Sequence, residues 1–490
     1  MGIIKKQSIQ NSIIIYIGIG LGFITTLYLY PQILEPDQYG LTRLLLSVSF
    51  VCSQFAHLGM KNTAIKFFPY FEDSKTQHNG FLFLTLVIPF LGFLIFSVLL
   101  FLFSNLLTDY YQESELFVDY FWYLIPLVFG ILYFEVINSY VRARLHSVPG
   151  SVISEVILRF LSIVLLVLYF YEWVNFREFM LGFVLSYMLQ PLLLIVYLWQ
   201  KGELFLKPRL NYLNTSLVKR MGNYGLFAVL GGMTTLVVNN IDIIMLGSLS
   251  GLTDTGIYAI AFYIGSVIIV PQKAIGKIAP TLVARHLKEK NLSEVERIYK
   301  SSSINQLIPG FLIFIGIWAN LENLMNILPP DYSSTGPVII LIGLSKLIDM
   351  TAGINGTIIL HSKYYRIDFF STVFLVLFSI ALNYWLIPLY GIVGAAIATT
   401  ASLLVYNLLK GIFVWVKFSM QPLSPKILIV MLLSISILYL SFQVDQIGNL
   451  YADITLRSFT IAVIYSAGIL LFNVSEEMNK MWLDVKSRLF

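Results

Sequence analysis

Charge is scarce in this chain. Only 12% of its 490 residues are Asp, Glu, Lys or Arg, about half of the roughly 25% usual in soluble domains. A soluble protein of this length cannot cover its core with so little polar surface. With 57% of residues hydrophobic, a disordered chain is excluded as well. There is one cysteine, Cys52, so neither an internal disulfide framework nor a cysteine-based metal cluster can form. The five histidines are His57, His78, His146, His286 and His361. No two of them stand at a helical spacing that would bind a metal. No glycine-rich phosphate loop follows a strand, and no stretch outside the membrane is long enough for a catalytic domain. We therefore read a non-enzyme without cofactor or metal.

What is present is apolar sequence in long runs. A helix crossing the hydrocarbon needs about 20 mostly apolar residues, and about fourteen such stretches follow one another. They are 11–30, 41–58, 81–103, 117–138, 152–171, 179–199, 223–247, 256–277, 304–326, 336–360, 368–387, 391–416, 425–441 and 458–474. Short alternating segments of about ten residues, the mark of a membrane β-barrel, are lacking. Lys5 and Lys6 precede the first run. No small-residue cleavage pattern ends it, so we read it as an uncleaved span.

Basic loop residues orient such a protein, because they collect in the cytoplasm. With the N-terminus inside, 27 of the 32 Lys and Arg fall in cytoplasmic segments. Two, Arg177 and Arg457, fall outside, and three, Arg43, Arg159 and Lys346, lie within spans. Both termini are then cytoplasmic. The formal net charge of +5 is a topology signal, and nucleic acid is excluded as a partner.

The chain also repeats itself. Leu145-His146-Ser147 recurs as Leu360-His361-Ser362, Gly40 pairs with Gly256, and Gly59 pairs with Gly276, at shifts of 215 to 217. Six spans per unit is an even number, so the units are parallel and related by a pseudo-two-fold axis along the membrane normal. The expected fold is an all-α polytopic membrane protein of two six-helix bundles plus two extra C-terminal helices. Its divisions are a first bundle 1–200, a cytoplasmic linker 201–222, a second bundle 223–416, and a final part 417–490 with two helices and a tail.

Some segments carry more than pattern. Leu34-Glu35-Pro36-Asp37-Gln38-Tyr39-Gly40 joins spans 1 and 2. Asn239-Asn240-Ile241-Asp242-Ile243-Ile244-Met245-Leu246-Gly247 opens the second half, followed by Thr255-Gly256-Ile257-Tyr258. Ala279-Pro280-Thr281-Leu282 then precedes an amphipathic, charged loop over 282–300. Together these resemble the polysaccharide-transporter branch of the MOP (MATE-like) superfamily, the Wzx-type flippases of lipid-linked oligosaccharides. The likeness covers essentially the whole chain. It implies a flippase of the bacterial inner membrane for surface polysaccharides such as O-antigen. The cargo would be an undecaprenyl-pyrophosphate-linked oligosaccharide, moved from the inner to the outer leaflet by alternating access. A glycan polymerase and glycosyltransferases would be the partners. The related lipid II flippases carry a cluster of arginines in the first bundle; the first-bundle spans here hold Arg43 and Arg159. Two rivals stay open, a cation-coupled multidrug exporter of the same superfamily and a membrane-embedded enzyme of glycan assembly.

Ionisable groups inside a membrane are costly and face a cavity or a partner. Lys346 stands about ten residues into span 10, roughly 15 Å deep. It holds the anionic headgroup, or pairs with Asp349, three residues on, or does both in turn, with Asp349 taking a proton or sodium when Lys346 engages the substrate. Arg159 either receives pyrophosphate in bidentate fashion or pairs with Glu155, four residues earlier. Arg43 either guides the anion or snorkels to the interface. Asp242 with Asn239 and Asn240 forms either a site for a coupling cation, sodium or a proton, or a packing cluster of hydrogen bonds. Glu135 and Asp349 stand nearly one repeat apart and are expected in one polar cleft. His146 and His361 are read as loop residues near lipid headgroups.

Overall fold

The computed structural model describes residues 2–73, 75–112, 114–475 and 477–479, and helices dominate them, with no strand among them. The chain divides into two compact units, Met1–Gly256 and Ile257–Phe490. This division differs from the repeat boundary near 222, because it follows packing and the repeat follows sequence.

The first unit begins with α1 (Gly2–Phe23), continued by a π-helical segment Ile24–Leu29 and a last turn Tyr30–Ile33. Then come α2 (Pro36–Ala56), α3 (Met60–Phe71), α4 (Phe81–Leu102), α5 (Leu124–Ala143), α6 (Leu158–Phe170), α7 (Phe176–Gln200) and α8 (Thr215–Leu249). Two short segments, Val148–Val152 and the π-helical Ile153–Ile157, lead into α6. The second unit holds α9 (Leu252–Ser266), whose first turns lie before the division, and α10 (Val270–Lys288), α11 (Leu292–Ala319), α12 (Thr335–Thr351) and α13 (Asn355–His361). It ends with α14 (Tyr365–Phe418), α15 (Pro425–Ser441) and α16 (Leu450–Leu471).

Local chemistry sets where helices begin. Glu35 and Gln38 form a capping box ahead of Pro36, and Asn175 with Glu178 forms another at α7. Asn214, Asn291 and Asn449 cap α8, α11 and α16 through side-chain oxygens. Such caps satisfy amides that have no partner inside the helix. Between α2 and α3 the axis bends by 41°. His57 stabilises the break: its Nδ1 accepts from the Gly59 amide at 2.9 Å, and its Nε2 lies 3.0 Å from Gln54 Oε1. Gly59 has φ 77°, and a Cβ there would overlap the backbone of Gly225.

Nine helices among the described residues are long and apolar enough to cross a membrane, or eleven if each of two bent pairs is one crossing. Helices also lie at the three remaining predicted stretches. The 223–247 stretch falls in α8, whose side chains at 230–238 are outside the described residues. The 425–441 stretch is α15, a 17-residue helix.

The third case is α14, whose 54 residues contain both 368–387 and 391–416. In a straight helix, residues 42 apart would be about 63 Å from each other. Yet Lys410 Nζ is 2.6 Å from Asp368 Oδ1. Likewise Tyr406 and Thr372 hydroxyls are 3.4 Å apart, and a Cβ on Gly394 would overlap the Leu386 carbonyl. The element is therefore an antiparallel hairpin, folded at Gly391 with φ 55° and ψ −131°.

Several expectations are corrected. The 282–300 segment is mostly helical, with only a turn at 289–291. Its charges are spaced for helical pairs: Arg285–Glu289 at 3.0 Å, Arg297 with Glu294, and Lys300–Glu296 at 2.6 Å. Lys410, counted with the cytoplasmic residues, is inside α14 and 4% exposed. Of the repeat matches, Gly59 is in a left-handed bend whereas Gly276 is helical. Leu145 has φ 61° whereas Leu360 lies in α13. Lys480, Lys486 and Arg488 lie outside the described residues, as do the side chains of Lys5, Lys6 and Lys277.

Gly40 and Gly256 behave differently. A Cβ on Gly40 would overlap the Leu252 carbonyl, and one on Gly256 would overlap the Pro36 carbonyl. The partners are themselves one repeat apart, so the contact is reciprocal.

Candidate functional site

In the first unit the in-span arginines sit among tyrosines. On α2, Arg43 Nε donates to the Tyr39 hydroxyl at 2.7 Å. Its guanidinium carbon is 4.8 Å from the Tyr39 ring centroid and 5.8 Å from that of Tyr30. The two rings are 4.9 Å apart, and both are buried. A guanidinium over aromatic faces is held by the ring quadrupole as well as by its hydrogen bond.

Arg159 follows the π-helical segment that carries Glu155. Its Nη2 is 3.0 Å from Glu155 Oε2, and its Nη1 donates to the Gly18 carbonyl of α1. The local pair expected from the four-residue spacing is thus made, and a second helix shares it. Gly18 fits there because a Cβ would come within 2.9 Å of Glu155. Tyr187 on α7 interacts electrostatically with Tyr30, Arg43 and Arg159. Tyr187 thus lies within electrostatic reach of both guanidiniums.

Glu135 on α5 pairs with Lys61 of α3 at 2.5 Å. On α8, Asp242 is buried, Asn240 half-buried and Asn239 exposed.

In the second unit, Lys346 is buried on α12, its Nζ 5.1 Å from the Phe262 ring centroid. Asp349 takes hydrogen bonds from two other helices: Gln272 Nε2 at 2.7 Å and Asn407 Nδ2 at 3.0 Å. Asn407 Oδ1 in turn lies 3.4 Å from Asn355 Nδ2. Beside it, Lys410 Nζ contacts Asp368 and, at 2.8 Å, the Tyr406 hydroxyl. Gly356 leaves the room for this ammonium, since a Cβ there would lie 2.5 Å from Nζ.

Sequence reasoning missed Tyr187, Gln272, Asn407 and the Lys410–Asp368 pair. Lys410 was detectable, standing six residues inside the predicted 391–416 span; the others carry no signature of their own. A carboxylate with amide neighbours suits a hard cation or a proton. Among the described residues, no group of three or more His, Cys, Asp or Glu is placed to hold a metal ion.

Long apolar helices with ionised groups packed between them define a polytopic membrane protein. More particularly, the chain belongs to the polysaccharide biosynthesis protein family, whose model matches residues 4–277. Its fold is that of the MOP superfamily. It is similar to a lipid II flippase, MurJ, in an inward closed conformation, with a TM-score of 0.74, 14% identity, and coverage of 95% of this chain and 98% of that one. It is also similar to a multidrug resistance MATE family transporter in an inward-facing conformation, with a TM-score of 0.65 at 14% identity over 82% of this chain and 98% of that one. A MATE structure in the bent conformation gives 0.50 at 16% identity, covering 85% and 95%. Among curated proteins, none matches the chain in sequence.

Proposed function

We propose that this protein is a flippase that moves an undecaprenyl-pyrophosphate-linked oligosaccharide from the inner to the outer leaflet of a bacterial inner membrane. The observation that carries this reading is the two in-span guanidiniums of the first unit, Arg43 over the Tyr30 and Tyr39 rings and Arg159 held by Glu155 and the Gly18 carbonyl. Guanidinium binds phosphate bidentately, and tyrosine faces suit sugar rings. The family match adds the polysaccharide context. In this reading two parallel six-helix bundles alternate in access, about fourteen helices cross the membrane, and both termini are cytoplasmic. Glycosyltransferases supply the cargo and a polymerase receives it.

Arg43, Arg159 and Lys346 are assigned to the anionic headgroup. Asp349, held by Gln272 and Asn407, is assigned to ion coupling by sodium or a proton, with Asp242, Asn239, Asn240 and Glu135 as further members of the polar cleft. A pyrophosphate of about two negative charges moving outward gains roughly 4–5 kcal/mol from an inside-negative potential of 100 mV. The potential alone could thus bias the direction.

The test is transfer of a pyrophosphate-linked oligosaccharide between leaflets of vesicles holding the purified protein. The Arg43→Ala, Arg159→Ala double variant should insert normally and lose transfer. Normal transfer by that variant would overturn the headgroup assignment. The multidrug reading predicts instead that a lipophilic cation is moved and the oligosaccharide is not.

A further inference from the structure

A groove of about 560 Å³ lies in the first unit, and neither Arg43, Arg159 nor Tyr187 is among its lining residues. That volume is within the range of small-molecule sites. Its walls come from the segments ahead of α6 and from α7, and include Val152, Ile157, Leu193 and Val196. Its mouth is polar and is lined by Gln10, His146, Tyr197 and Gln200. From Gln200 back to Leu193 the groove descends seven residues of helix, about 10 Å. The polarity therefore runs along the helices: hydrogen-bonding groups at their ends, hydrocarbon below. Val196 is 44% exposed, so the groove is open along its side.

The mouth is also cationic. Lys201 is exposed, its Nζ 6.0 Å from the Tyr197 ring centroid, and Arg142 in the last turn of α5 is exposed. The third basic residue, Arg144, is offset by Glu203, which it meets at 2.6 and 2.7 Å. The excess charge at this end is positive. The mouth is also built: Gln7 of α1 bonds the Leu145 carbonyl and accepts from the Ser147 amide at 3.1 Å, and Asn11 donates to the Ser147 hydroxyl at 2.8 Å. His146 is held at 3.0 Å between its Nδ1 and the Tyr197 hydroxyl. With the tyrosine donating there, Nε2 carries the imidazole proton and can donate outward. The second copy of this motif lacks such a clasp; His361 Nδ1 instead lies 2.9 Å from the Thr357 carbonyl of its own helix.

We infer that this groove is a binding site for one anionic phospholipid of the surrounding leaflet. One acyl chain lies between Val152, Ile157, Leu193 and Val196, and the phosphate sits at His146, Gln200 and Lys201. None of the residues assigned to the cargo headgroup lines the groove. It ties α1 to α7 through a lipid whose charge the mouth selects.

The experiment uses the full-length protein in phosphatidylcholine vesicles doped with phosphatidylglycerol bearing a photoreactive diazirine on its acyl chain. Adducts are mapped by mass spectrometry after digestion. Adducts are expected on 148–157 and 193–200, and a phosphatidylcholine probe with the same chain should give about fivefold fewer, the effect of one basic residue near the headgroup. Val152→Trp, and independently Val196→Trp on the facing wall, should remove them while gel filtration and helicity stay unchanged. Lys201→Glu should erase the preference for phosphatidylglycerol and leave labelling by the chain. The proposal is overturned by equal labelling with the two probes, by labelling that survives both tryptophans, or by a photoreactive polyprenyl phosphate that displaces phosphatidylglycerol from the same peptides.

Discussion

Gly40 and Gly256 stand one repeat apart and lie backbone against backbone at the N-terminal ends of α2 and α9. The Cβ that either lacks would come within 3.0 Å of the other's amide nitrogen and would overlap a carbonyl four residues upstream of it. Four residues, Pro36, Gly40, Leu252 and Gly256, make one reciprocal contact. No side chain can relieve a collision with backbone. Gly40→Ala or Gly256→Ala should each lower stability by about 1–3 kcal/mol, the cost of overpacking. The melting temperature of the purified protein measures this. Gly256→Ala should also cost less in a Gly40→Ala background, since the first substitution has already forced the helix ends apart.

Arg43 makes a planar contact, with its guanidinium over two tyrosines and one nitrogen on a hydroxyl. Lysine keeps the charge and loses both the plane and the fork. Arg43→Lys should therefore reduce leaflet transfer by about tenfold or more, equivalent to 1.4 kcal/mol, with normal membrane insertion. Wild-type transfer rates in Arg43→Lys would show that charge alone is used.

Lys410 and Asp368 close the base of the α14 hairpin, with the lysine side chain only 5% exposed. Lys410→Met leaves the carboxylate without its cation and should cost about 3 kcal/mol. Pairing it with Asp368→Leu should restore most of that loss. Thermal unfolding of the two single variants and the double variant gives the coupling directly.

At the tip of the same hairpin, Gly391 has φ 55° and ψ −131°, a combination that L-residues avoid. Gly391→Ala should destabilise by about 1–3 kcal/mol and raise protease sensitivity between the legs. Unchanged unfolding in this variant would mean the turn has an alternative geometry.

The loop before α4 carries the acid dependence. Thr76 donates its hydroxyl to Asp73 at 2.9 Å and the Lys75 amide donates at 2.9 Å. The Thr76 hydroxyl, with the amide second, holds the Asp73 carboxyl below the ordinary carboxylate range. A lowered value in the folded state means a stabilisation present above the unfolded value and lost as pH falls through the folded one. Amide exchange of the 72–80 peptide, corrected for its intrinsic rate, should therefore rise below about pH 4. Asp73→Asn should show the faster exchange already at neutral pH.

What could be read from the sequence was what neighbours in sequence decide. Helices stand at all the predicted apolar stretches, because length and hydropathy are local properties. The Arg159–Glu155 pair was legible for the same reason, as a four-residue spacing on one helix face. That logic does not reach the distant partners of Asp349, whose carboxylate accepts from Gln272 and Asn407, amides 77 and 58 residues away. Tyr187 comes within electrostatic reach of Arg43 and Arg159 through helix packing that no spacing encodes. Lys410 was assigned to a loop because its partner lies across a turn that periodicity does not reveal.

The α14 hairpin has a consequence for how the protein is made. Its contacts join residues 8 to 42 positions apart, so both legs are complete before the segment carrying α15 and α16 has been synthesised. Short sequence separation lowers the entropy of closing the loop between them. An isolated leg would bring Lys410 or Asp368 to the bilayer alone, at a cost below the roughly 2.5–3.5 kcal/mol of a charge at a helix centre. Entering together, the legs neutralise both charges at once. The ion pair is then a condition of integration: each leg is a poor passenger for the insertion machinery by itself and a good one with its neighbour.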